Sequence, residues 1–122
     1  MKAWASVGLH PTENKEKVLQ SVHGLFPGTQ LKGKEVLMGK IPDLALFREL
    51  VQKRKIRPSL EKILEKNFCA GRTYILLNKQ AAFMGTPNVY SKQELGAIKL
   101  EFECEEKELK SLLGGKENEK NN

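Results

Sequence analysis

From Ala3 to Leu9 the chain alternates, with Ala3, Ala5, Val7 and Leu9 on one side and Trp4, Ser6 and Gly8 on the other. That period of two predicts a strand with one face buried. His10-Pro11-Thr12 stops it, since proline removes a ladder donor, and Thr12 is the expected N-cap of a first helix. Glu13 and Glu16 suit the positive end of that helix, Val18, Leu19, Val22, Leu25 and Phe26 recur at its spacing, and Phe26-Pro27-Gly28 ends it. Thr29 to Ile41 reads as one or two short strands around Gly33, the stronger being Glu35-Val36-Leu37-Met38-Gly39. Ile41-Pro42-Asp43 opens a second helix whose stripe is Leu44, Phe47, Leu50 and Val51, with Arg48, Glu49, Gln52 and Lys53 outside it. A break is expected at Arg57-Pro58-Ser59, because the residue before a proline avoids the helical region. Leu60, Ile63 and Leu64 belong to a short third helix ending near Asn67.

Arg72 to Leu77 favours a strand, and Ala82 to Met84 reads as an extended or short buried piece before the turn Gly85-Thr86-Pro87-Asn88. Between them Asn78-Lys79-Gln80-Ala81 interrupts an apolar run. Those amides and that ammonium serve either recognition or turn-making. In the last strand, Ala97 to Cys104, Ile98, Leu100, Phe102 and Cys104 alternate with Lys99, Glu101 and Glu103, which predicts a buried face and a solvated, largely acidic one. Glu105 to Leu113 is expected to form a final helix, and residues 114–122 a disordered polar tail. Residues 1–113 thus read as a single α+β domain, an antiparallel sheet with helices packed on one face, in preference to a doubly wound parallel sheet.

Composition narrows the chemistry. With 39% hydrophobic and 30% charged residues in 122, the chain is long enough for one core. It has neither an apolar run that spans a bilayer nor the apolar stretch of a signal peptide, so a cytoplasmic protein is expected. The net charge of +6 is uneven: residues 1–93 hold 16 Lys and Arg against 7 Asp and Glu, whereas residues 94–122 hold 5 against 8. A positive body of this kind attracts polyanions, although lysine- and glutamate-rich surfaces also serve solubility.

No catalytic constellation is visible. His10 and His23 have no carboxylate or cysteine at triad or ligand spacing. Cys69 and Cys104 lie 34 residues apart without the pairs a zinc site needs, and each reads as a small reduced hydrophobe. Gly33-Lys34 and Gly39-Lys40 lack the glycines and hydroxyl of a phosphate loop. Glu101, Glu103, Glu105, Glu106 and Glu108 are better explained by a solvated face than by a cation or hydrolase site. No metal, cofactor or enzymatic activity is expected. The densest feature is Lys53-Arg54-Lys55-Ile56-Arg57, four cations that suit a helix C-terminus and also suit phosphates. Arg72 and Lys79 extend that surface if the Arg72 strand lies beside the helix, while stacking aromatics are few: Tyr74, Tyr90 and Trp4.

The succession Ala5-Ser6-Val7, Pro11-Thr12-Glu13, Val18 to Phe26-Pro27, Phe47-Arg48-Glu49-Leu50 with Ile56, Leu77-Asn78-Lys79-Gln80-Ala81-Ala82 and Leu95-Gly96-Ala97-Ile98 resembles a small archaeal family of uncharacterised proteins with a predicted RNA-binding role. The resemblance covers about residues 3–104. It implies an α+β fold similar to the large-subunit ribosomal protein that binds 5S ribosomal RNA, a homodimer, and no enzyme activity or cofactor. It brings Asn78, Lys79 and Gln80 forward as family-pattern residues. The expected RNA-binding set is therefore Lys53, Arg54, Lys55, Arg57, Arg72, Asn78, Lys79 and Gln80. A dimeric structural or assembly protein without a nucleic-acid role is the alternative, and an enzyme acting on a small acidic substrate comes third.

Overall fold

The computed structural model describes residues 2–89 and 97–113. Four strands, β1 (Lys2–Gly8), β2 (Val36–Lys40), β3 (Arg72–Asn78) and β4 (Ala97–Glu103), form one sheet in the order β2-β1-β4-β3. Every neighbouring pair is antiparallel. Helices α1 (Lys15–His23), α2 (Ala45–Lys53), α3 (Arg57–Asn67) and α4 (Lys79–Phe83) and a closing 3-10 helix (Glu106–Ser111) complete the described elements. No helix among the described residues is long and apolar enough to cross a membrane.

Alternation decides which side of the sheet the core occupies. Ala3, Ala5 and Val7 of β1, Leu37 of β2, Ile75 and Leu77 of β3, and Ile98, Leu100 and Phe102 of β4 are all buried, with Thr73 among them. They meet Val18 and Val22 of α1, Phe47 and Val51 of α2, and Leu60 and Leu64 of α3 in one cluster. Phe26 and Phe47 pack tilted, with ring centroids 5.1 Å apart. The expected inward residues of the last strand are therefore confirmed, as is the α+β layering. The opposite face of β4 is only half solvated, because β4 is an inner strand between β1 and β3.

Several local expectations change. The N-cap of α1 is Asn14 rather than Thr12: its Oδ1 accepts from the N–H groups of Glu16 and Lys17 at 2.8 and 3.3 Å. Thr12 instead pairs with the His10 ring. The helix closes at His23, and Leu25 and Phe26 turn into the core beyond it. Gly24 has a steric reason, since a Cβ there would lie 2.5 Å from the Ala82 carbonyl oxygen. Between Thr29 and Ile41 one strand forms, and Lys32 bridges to Met38 alongside it.

The break near Pro58 is real but falls earlier, at residues 54–56. Pro58 sits in the first turn of α3, where its missing N–H costs no helical bond. Ala82 to Met84 is not extended, because Ala82 and Phe83 end α4. The final helix is of the 3-10 type and shorter than expected. Cys69 is exposed at the tight turn entering β3, whereas Cys104 is buried; burial and the nearby Glu108 push the Cys104 thiol up. The expected tail at 114–122, Tyr90, and Leu95-Gly96 of the family pattern lie outside the described residues.

Candidate nucleic-acid interface

The eight residues expected to bind RNA fall in three places. Lys53, Arg54, Lys55 and Arg57 form the turn between α2 and α3. Arg54 and Lys55 donate their N–H groups to Leu50 and Gln52, and the Ile56 N–H reaches back to the Val51 carbonyl at 3.2 Å. This is the doubly bonded helix end in which the residue after the cap adopts a left-handed conformation. Glycine normally fills that position, but here it is Lys55, at φ 59. Ile56 folds inward against the core while Lys53, Arg54 and Lys55 remain exposed. Arg57 is half-buried and contacts Glu61 at 3.5 Å. On α3, Lys62 and Lys66 are exposed one turn apart, adding cations that sequence inspection passed over because no local cluster marks them.

Arg72 lies elsewhere. Its strand does pack beside α3, where the Thr73 hydroxyl donates to the Leu64 carbonyl at 2.6 Å. Alternation, however, points Arg72 to the other face of the sheet, so it does not extend the turn. There it pairs with Glu101 at 3.2 Å and lies over the Trp4 ring, 5.7 Å from the centroid.

Asn78, Lys79 and Gln80 occupy the junction of β3 and α4. The Asn78 Oδ1 accepts from the Ala81 N–H at 2.9 Å and caps α4, while its own N–H donates to the Asn88 carbonyl. Lys79 is 7% exposed. Its Nζ donates to the Gly8 carbonyl at 3.1 Å and to both carboxylate oxygens of Glu13 at 3.2 and 3.0 Å. Glu13 also accepts from the His10 N–H at 2.8 Å. Burial raises the Glu13 pKa, but the His10 hydrogen bond and the Lys79 contact outweigh it and hold the carboxyl below its ordinary value. Of the two roles open to this segment, recognition or turn-making, these contacts describe a structural one for Lys79: its ammonium ties the end of β1 and the following loop to α4. Gln80 is exposed and lines a groove of about 390 Å³ between α1 and α4, with Phe83 and Met84 on its rim.

The sheet face away from the helices holds a feature that sequence inspection missed. Lys40, Trp4, Glu101 and Tyr74 stand in one cross-strand row, and Met38, Ser6, Lys99 and Leu76 in the next. Lys99 Nζ lies 4.9 Å from the centroid of the Tyr74 ring. Among the described residues no group of His, Cys, Asp and Glu is arranged to hold a metal.

Among the described residues the chain is a four-stranded antiparallel sheet with helices packed on one face and an exposed cationic turn, a protein of the α+β class. The chain belongs to a family whose model, described as RNA binding, matches residues 3–104. It is 32% identical to a UPF0201 protein of Methanothermobacter thermautotrophicus over 100 residues, which cover 78% of this chain and 76% of the relative. In two further curated relatives, from Archaeoglobus fulgidus and Methanocaldococcus jannaschii, the matched part is 30% and 49% of the relative's length. Among solved structures, one UPF0201 protein superposes with a TM-score of 0.79 at 26% identity, covering 87% of this chain and 84% of the other. The UPF0201 protein from Methanococcus jannaschii superposes with a TM-score of 0.74 at 27% identity, covering 84% and 93%.

Proposed function

We propose that this protein binds structured RNA in the cytoplasm through phosphate contacts centred on the α2–α3 turn, without a catalytic step, a metal or a cofactor. The observation that carries the reading is Lys55. A left-handed backbone costs a side-chain-bearing residue about 1 kcal/mol or more, and glycine would relieve it. The lysine there places its charge beside Lys53 and Arg54 on a turn that Ile56 anchors to the core. The family description supports the same ligand class.

The test combines Lys53→Ala, Arg54→Ala and Lys55→Gly. Affinity for a hairpin RNA is expected to fall, and the slope of log affinity against log salt to flatten by about one unit per lost phosphate contact. The melting temperature should hold or rise, because Lys55→Gly removes strain. An unchanged affinity and slope would refute the turn as the RNA contact. A dimeric assembly role is the second reading, supported by Val36 and Met38, which are 56% and 52% exposed side by side on β2.

A further inference from the structure

We infer that the open face of the sheet is a stacking platform for a single-stranded RNA segment, a second subsite of the RNA-binding function proposed above, on which this inference rests. Trp4 on β1 and Tyr74 on β3 both pair with Glu101 of the intervening β4. Their backbones therefore lie on the order of 10 Å apart, two inter-strand spacings, and both rings project from the same side. Aromatic rings accept any base by stacking, which is how single strands are held without sequence reading. Next to Tyr74 the small residues Ser6, Gly8 and Ala97 leave a hollow of about 330 Å³ walled by Leu76 and Lys99. A flat base enters it edge-on beside the phenol ring.

Charge favours a polyanion over a second protein copy. Lys2, Lys40, Arg72 and Lys99 project from this face against Glu101 and Glu103, and Arg72 neutralises Glu101 between the two rings. In the free protein Arg72 covers the Trp4 ring and Lys99 the Tyr74 ring. An incoming nucleotide replaces each contact in kind: the base takes the ring face, and the phosphate takes the displaced cation. The cation-covered rings are thus satisfied in water and exchangeable for RNA.

Trp4 is the single tryptophan of the chain, so its fluorescence reports this face alone. The full chain is titrated with an oligouridylate of about ten nucleotides, within the usual single-strand site size, and separately with a blunt RNA duplex. The oligouridylate is expected to quench Trp4 saturably. Tyr74→Leu, which keeps apolar bulk, should weaken oligouridylate binding about tenfold or more while leaving duplex affinity unchanged, and Tyr74→Phe should restore it. Duplex binding without Trp4 quenching, or equal oligouridylate affinity in Tyr74→Leu, overturns this inference and leaves the RNA-binding reading standing. Loss of both ligands in the native chain sinks both. A species of twice the chain mass in which Trp4 is shielded from acrylamide and RNA does not expose it assigns the face to a second copy and overturns the inference.

Discussion

Lys79 is a lysine buried at the start of a helix, and the carboxylate that permits this is Glu13, far away in sequence but 3.0 Å away in space. Hydrogen bonds to charged groups contribute about 1.5–3 kcal/mol each, so Lys79→Met is expected to lower stability by about 2 kcal/mol. RNA affinity should be unchanged in that variant, which separates its structural role from recognition. The same pair sets an acid response. Because the folded Glu13 carboxyl titrates below its unfolded value, its contribution is fully present above the ordinary glutamate range. It is lost as pH falls through the lowered folded value. Glu13→Gln should therefore destabilise the protein near neutrality and flatten the acid limb of stability against pH, measured by denaturant unfolding. An acid limb identical to that of the native chain would show that the pair carries no such coupling. The pairing was not legible in the sequence, where Lys79 read as serving either recognition or turn-making, because a buried charge is recognisable only once its counter-ion is placed.

At the scale of elements, the long periodic pieces were readable and the short ones were not. The last strand shows its two faces in seven residues, and α2 shows its stripe in Phe47 and Val51. The five residues of α4 span barely more than one turn, too few to display a period. An isolated helix of that length has no stability of its own, so its cap and packing must supply it. Asn78 is that cap, and Asn78→Ala is expected to cost about 1 kcal/mol in thermal or denaturant unfolding. Asn78→Asp or Asn78→Ser should recover most of it, since either offers an oxygen to the Ala81 N–H. A loss not recovered by either would show that the Oδ1 contact to the Ala81 N–H is not its source.

Across the described residues, two cationic surfaces lie on opposite sides of the sheet: the α2–α3 turn on the helix side, and the aromatic face with Arg72 and Lys99 on the other. Exposed Val36 and Met38 continue the open face toward its β2 edge. The homodimer expected from the family resemblance predicts a light-scattering mass of twice the 13.8 kDa chain at micromolar concentration. A mass that stays at 13.8 kDa would exclude it. Sequence alone determined which residues of the first and last strands face the core, the α+β class and the cationic segment around Lys55, because side-chain alternation, helical spacing and local charge density are properties of neighbouring residues. The order of the strands, the burial of Lys79 against Glu13, the turning of Arg72 away from the basic turn and the alignment of Trp4 with Tyr74 were decided only by the tertiary structure. Periodicity assigns a residue to a face but not to a neighbour. Which strand lies beside which depends on closing long loops around a shared core, and that choice alone sets the two rings in one row.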